Sequence, residues 1–240
     1  MTRFFAAPPD ISNGAVRLSA EDLTHIRALR LRPDELFIVC DGDGTDYLCR
    51  LGQHGVGLAE IVGESPSRGE PSVSCAVFIA LAKGDRLDYA VQKSVELGAF
   101  EIVLFPSERC ISAPGDTSKK TARLQRIALE AAKQSGRGRV PEITAAGSFE
   151  SAVEKAASAG LPLFCYEDEK KRRLKEALES HPGIETVSVF TGPEGGFTPA
   201  EAEFAAARGM ATVTLGPRIL RCETAPAAAL AALMYHTGNM

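Results

Sequence analysis

From Val73 to the end of the chain, apolar β-rich runs alternate with segments of helical pattern, and no other feature limits the possible folds so sharply. Residues 73–82 and 102–105 read as buried strands around a helix over 85–97 that Gly98 ends. A helix over 118–134, a helix over 149–159, a strand over 163–166, a charged helix over 172–180 and a strand over 186–190 continue the pattern. A helix over 199–208, a strand over 211–215 and a last helix from Thr224 complete it. Successive strands joined through helices lie parallel, because each crossover runs over a sheet face; the alternation therefore predicts an α/β domain with a mostly parallel sheet covered on both sides.

The first 70 residues follow another rule. Short β-rich runs over 35–40, 45–50 and 56–62 are broken by one helix over 19–30, for which Ser19 and Asp22 form a cap pair. This predicts a small β-barrel-like unit. Residues 63–71 gather two Pro, two Gly and two Ser between apolar runs, which makes them the linker, with domains expected over 1–70 and 71–240. The Asp41-Gly-Asp-Gly-Thr-Asp46 stretch resembles the start of a calcium loop, but it has Asp46 where that loop needs Gly and Gly52 where it needs Glu, so a hairpin turn is expected.

The longest apolar run, 225–235, is about half of a membrane span, and Pro8 and Pro9 interrupt the N-terminus before any signal-peptide core could form. No membrane association and a cytoplasmic location are expected. The six cysteines are scattered without a C-x-x-C pair, and His25, His54, His181 and His236 have no ligand spacing, so no metal is expected and the thiols read as buried and reduced. Net charge is −4, but it is unevenly distributed: residues 1–70 hold seven basic against eleven acidic residues, the remainder twenty of each. Residues 119–139 hold seven basic residues and one acid, Glu130, which fits either a phosphate-binding surface or a solvated helix face.

Two loops carry the chemistry. Thr191-Gly-Pro-Glu-Gly-Gly-Phe-Thr-Pro-Ala-Glu201 links a β-branched strand to a helix start, with Gly195 and Gly196 permitting close backbone approach and Thr198, Pro199 and Glu201 capping the helix. Its N–H groups suit a carboxylate or phosphate, although an ordinary tight turn would look the same. Leu215-Gly-Pro-Arg-Ile-Leu-Arg-Cys-Glu-Thr224 follows the last strand and sets Arg218, Arg221 and Glu223 at the C-terminal end of the sheet, where open α/β folds bind ligands. The Gly pattern is not G-x-G-x-x-G and no acid ends the next strand, so a dinucleotide site is disfavoured.

Taken together, these segments resemble the ribosomal small-subunit uridine-N3 methyltransferases of the knotted SPOUT superfamily. The likeness rests on Arg3-Phe-Phe5, His25 to Arg30, Lys83 to Arg109, Glu130 to Gln134 with Arg137 to Pro141, Gly192 to Gly196, and Leu215 to Arg221 with Glu223-Thr-Ala225. It implies a PUA-like N-terminal RNA-binding domain, a SPOUT methyltransferase domain with a trefoil knot, a homodimer, and S-adenosylmethionine as cofactor, with 16S ribosomal RNA as partner. It assigns the cofactor to Thr191, Gly192, Glu194, Gly195, Gly196, Leu215, Gly216, Ile219, Leu220 and Arg221, and RNA contacts to Arg30, Lys83, Lys133, Arg137 and Arg139. N3 of uridine is weakly acidic, so transfer needs an oxyanion stabiliser and a proton acceptor. Arg221 is expected in the first role; Glu223 either takes the proton or orients Arg221, with Glu194 a weaker alternative base. Cys222 stands where the family usually has Thr. A related enzyme acting on transfer RNA or ribose, and a non-catalytic RNA-binding factor, are the competing readings.

Overall fold

The computed structural model describes residues 1–52, 57–110 and 117–240. Val56, at the start of one expected strand, and His54 lie outside the described residues. The chain divides into two compact units, Met1–Glu70 with Ala132–Val140, and Pro71–Ala131 with Pro141–Met240. The linker reading put a boundary at residue 70; it gave no sign that the end of the long helix and the residues after it belong with the first unit, because that association depends on side chains distant in sequence.

The first unit is a six-stranded mixed sheet in the order β1-β4-β5-β6-β3-β2. Its strands are β1 (Arg3–Phe5), β2 (Ile11–Ser12), β3 (Ala15–Arg17), β4 (Leu36–Cys40), β5 (Thr45–Leu51) and β6 (Leu58–Pro66). Among the described residues β1 and β2 are the free edges, so the expected barrel-like unit is a sheet open in its hydrogen bonding. Helix α1 (Ala20–Leu29) starts where Ser19 accepts the Asp22 N–H and stops where Arg30 turns left-handed. Phe4, Phe37, Val39 and Ile26 form the core, with Phe4 edge-on to both Phe37 and His25. The turn between β4 and β5 is closed by Asp41, whose Oδ1 accepts the Asp43 and Thr45 N–H groups at 2.8 and 3.0 Å, a hairpin and not a calcium loop.

The second unit is a wholly parallel sheet in the order β12-β10-β11-β7-β8-β9. Its strands are β7 (Ser74–Ala80), β8 (Glu101–Phe105), β9 (Glu142–Ala145), β10 (Leu161–Cys165), β11 (Thr186–Thr191) and β12 (Ala211–Val213). Among the described residues its helices are α2 (Arg86–Glu96), α3 (Thr117–Ser135, whose last four residues belong to the first unit), α4 (Phe149–Ala156), α5 (Leu174–Glu179), α6 (Pro199–Ala207) and α7 (Thr224–His236). The central strands are apolar on both faces because helices cover both. Six phenylalanines from separate elements, Phe78, Phe105, Phe149, Phe164, Phe190 and Phe197, make one aromatic core. Phe197 belongs to no strand; it is buried from the glycine loop, its ring 4.3 Å from that of Phe164, and so pins that loop to the core. Burying one such side chain contributes about 2–3 kcal/mol.

Candidate active site

The C-terminal ends of β10, β11 and β12 open onto a cavity of about 580 Å³, and three loops build its wall. The loop after β11 supplies Gly192 to Gly196, and the loop after β12 supplies Thr214 to Gly216 and Arg218 to Glu223. The third wall is Cys165 at the end of β10 with Tyr166 and Glu167 after it, and Arg86 of α2 also lines the cavity. Of the residues the sequence offered for a cofactor, Gly192, Glu194, Gly195, Gly196, Leu215, Gly216, Ile219, Leu220 and Arg221 line it. Thr191 does not: it is fully buried and its hydroxyl donates to the Phe78 carbonyl at 3.1 Å, so it ties β11 to β7 beneath the loop.

The β10 wall escaped the sequence reading although its signal was present, since a third parallel strand must end at the same edge as its neighbours. Glu167 explains the glycine pair better than a ligand alone. Its Oε1 accepts the Phe197 N–H at 3.0 Å, and a Cβ on Gly196, whose φ is +68°, would run into that carboxylate. A Cβ on Gly195 would lie 2.9 Å from that of Arg109, whose guanidinium donates to the Gly195 and Phe197 carbonyls. Close approach at both positions is thus already required by the protein's own side chains. Glu201 completes the support: buried, it accepts from the Ser107 hydroxyl and Glu108 N–H on one oxygen and from the Thr198 N–H and hydroxyl on the other. One carboxylate thereby caps α6 and fastens the 107–109 loop to it.

At one rim, Glu194 Oε1 accepts from the Lys83 N–H and from Arg86, each at 3.0 Å. Burial pushes the Glu194 carboxyl up, but these donors outweigh it and hold its pKa below the usual carboxylate value. Its other oxygen, Oε2, is buried without a partner among the described residues. Cys222 is buried beside it, and its thiol donates to Glu223 Oε2 at 3.3 Å. Burial and then the Glu223 carboxylate push that thiol up to about 12. Glu223 makes no ion pair with Arg221 among the described residues; Arg221 and Arg218 are exposed and carry no carboxylate partner there.

A family model for an RNA methyltransferase domain matches residues 69–234, and one for an RNA methyltransferase PUA domain matches residues 18–55. The ribosomal RNA small subunit methyltransferase E of Bacillus subtilis is 32% identical over 230 residues, covering 92% of this chain and 90% of its own. The chain belongs to this methyltransferase E family. Solved structures agree: one of the Neisseria gonorrhoeae methyltransferase E bound to S-adenosyl methionine has a TM-score of 0.79 at 34% identity, covering 98% of this chain and 97% of that one. A Legionella pneumophila methyltransferase in complex with the same cofactor has a TM-score of 0.85 at 26% identity, with coverage of 98% and 97%.

For this member of the methyltransferase E family, the structure corrects one RNA-facing residue expected from the sequence, Arg137, and leaves Arg30, Lys83 and Arg139 at the surface. Arg137 is only 2% exposed and its guanidinium grips Glu70 at 2.9 and 2.6 Å, while Glu70 Oε1 also accepts the Gly138 and Arg139 N–H groups. Such a buried, bidentate arginine cannot reach a phosphate. The Lys133 ammonium is largely buried, 3.7 Å from Asp22 and over the Phe4 ring. Arg139 is half-exposed with Asp43 3.9 Å away. Arg30 and Lys83 are exposed, Arg30 as the left-handed cap of α1.

Proposed function

We propose that the protein methylates N3 of a uridine in small-subunit ribosomal RNA, with S-adenosylmethionine held in the cavity between the three loops. The observation that carries this reading is the cavity itself. Its volume falls in the range of small-molecule sites, its walls come from three loops at the strand ends, and it holds one buried acceptor, Glu194 Oε2, that lacks a donor among the described residues. A cofactor with an amino group and a ribose supplies such donors, so the residues present fit it. Ile219, Leu220 and Leu215 offer apolar wall for an adenine. When bound, the cofactor supplies an electrophilic methyl group on a sulfonium.

The chain's own residues then divide the remaining work. Arg221, with no carboxylate partner among the described residues, stabilises the negative charge that spreads onto the uracil carbonyls as N3 loses its proton. Glu223 takes that proton on Oε1, because its Oε2 is occupied by the Cys222 thiol. Glu194 is the poorer base, its carboxylate already held by Arg86 and the Lys83 N–H, and Cys222 stays a thiol at neutral pH. The base must be unpaired to present N3, so the substrate uridine is turned out of any helix. The same reading includes a trefoil knot formed by the cavity loops and a homodimer, as the sequence resemblance implies, and a cytoplasmic location.

The test uses a rim position whose loss cannot open the core. Ile219 is 76% exposed, so Ile219→Asp leaves the melting temperature unchanged while weakening S-adenosylmethionine in calorimetry by about tenfold or more. Unchanged affinity in a protein that methylates normally would move the cofactor elsewhere.

A further inference from the structure

Between β10 and α5 the chain runs Glu167-Asp-Glu-Lys-Lys-Arg-Arg173, and its acids and bases part company in the fold. Every acid has a partner within the fold. Glu167 accepts the Phe197 N–H, Glu169 accepts the Lys171 and Arg172 N–H groups on Oε1 and the Thr212 hydroxyl on Oε2, and Asp168 lies 3.8 Å from Lys170. Lys171, Arg172 and Arg173 are all exposed and make no ion pair among the described residues. The segment is also anchored to the cavity wall at both ends. Glu167 lines the cavity, and at the other end the Thr214 N–H donates to the Arg172 carbonyl at 2.8 Å while the Thr214 carbonyl accepts the Leu174 N–H at 3.1 Å. Thr214 itself lines the cavity and leads into the loop of Arg218.

We propose that Lys171, Arg172 and Arg173, with Arg218 at the rim, hold the backbone phosphates of the RNA strand whose base enters the cavity. This rests on the reading that the cavity methylates RNA. An extruded base needs its flanking backbone fixed, and phosphate contacts supply position without sequence preference. Arginine suits the task because its planar guanidinium meets a phosphate with two N–H groups. Because the neighbouring acids are engaged elsewhere, these cations make no ion pair at the surface among the described residues, and the Thr214 bridge ties them to the cavity wall.

The experiment compares the wild type with a Lys171→Ala, Arg172→Ala, Arg173→Ala triple variant. Two substrates are used: small ribosomal subunits from a strain lacking this methyltransferase, and polyuridylate. The variant's KM for subunits should rise on the order of tenfold to a hundredfold at 0.1 M salt, and the log–log salt slope for polyuridylate should fall by about 0.7 for each phosphate that is no longer neutralised. S-adenosylmethionine affinity and melting temperature should not change. Unaltered KM and slope in a folded variant overturn the proposal while leaving the cavity's function intact. If the wild type methylates no subunit, that function fails, and the polyuridylate slope alone decides the surface. Should the triple variant fold poorly, Arg172→Glu, a single exposed change, carries the same test.

Discussion

Residues 119–139 hold seven basic residues against one acid, whereas residues 167–175 hold five against three. By composition the first stretch is the better phosphate binder, and the structure narrows the difference, because among the described residues four of its seven bases have carboxylates near them and three of the five in the second do not. In the first, Arg137 is taken by Glu70, Lys133 lies beside Asp22, Arg123 is paired with Asp88, and Arg139 has Asp43 near it, all partners distant in sequence. In the second, two of the three acids accept from backbone N–H groups, and Lys171, Arg172 and Arg173 stay exposed without an ion pair among the described residues. Available charge is therefore decided by where the fold brings acids, and a local count of charges measures only the total.

The comparison breaks if a cation at the cavity behaves like one spent on the fold, or the reverse. The largest expected effect is at Arg221. Arg221→Ala should lower the single-turnover methylation rate roughly a hundredfold, about 3 kcal/mol of transition-state stabilisation, with little change in affinity for RNA or cofactor. Raising the pH should restore part of the rate by deprotonating more of the uridine. A loss of affinity that accounts for the whole loss of rate would make Arg221 a binding group only. Next is Arg137, where Arg137→Ala strands Glu70 and should cost about 2–3 kcal/mol in denaturant unfolding while leaving the salt slope of RNA binding unchanged. A flattened slope with unchanged stability would return Arg137 to the RNA surface.

The smallest effect is at Glu194, whose folded pKa is depressed by the Lys83 N–H and Arg86 against the opposing push of burial. A depressed folded pKa means the unfolded chain binds the proton first, so the stabilisation is present above the unfolded value and fades as pH falls through the folded one. Glu194→Gln should accordingly destabilise at neutral pH, and the gap to the wild type should close on acidification through the carboxylate range. A gap constant with pH would show that the ion pair contributes nothing by its charge.

Much of this was legible beforehand. Among the described residues of the second unit, the helices and every strand except β9 follow from hydrophobic period and capping residues, and Ser19, Thr198 and Glu201 perform as their spacing indicates. Strand β9 was missed because four edge residues show no period, and β1 to β3 because two or three residues show even less. At the site, two of the three loops stood out by their glycines. The third, with Glu167, carries no such mark, and its role appears only when β10 is found beside β11. Nor could sequence separate Thr191, which faces into the sheet, from Gly192, which faces the cavity one residue later. The pairing of Arg137 with Glu70 across 67 positions is equally invisible to any local pattern.

The central claim is the position of the methyl group. Purified protein, S-adenosylmethionine and small subunits from a strain lacking this methyltransferase should yield, on nuclease digestion and mass spectrometry, one 3-methyluridine per subunit, nearly absent with Arg221→Ala. A methyl group on ribose, on another base or on transfer RNA, or transfer undiminished in the Arg221→Ala protein, would contradict the account.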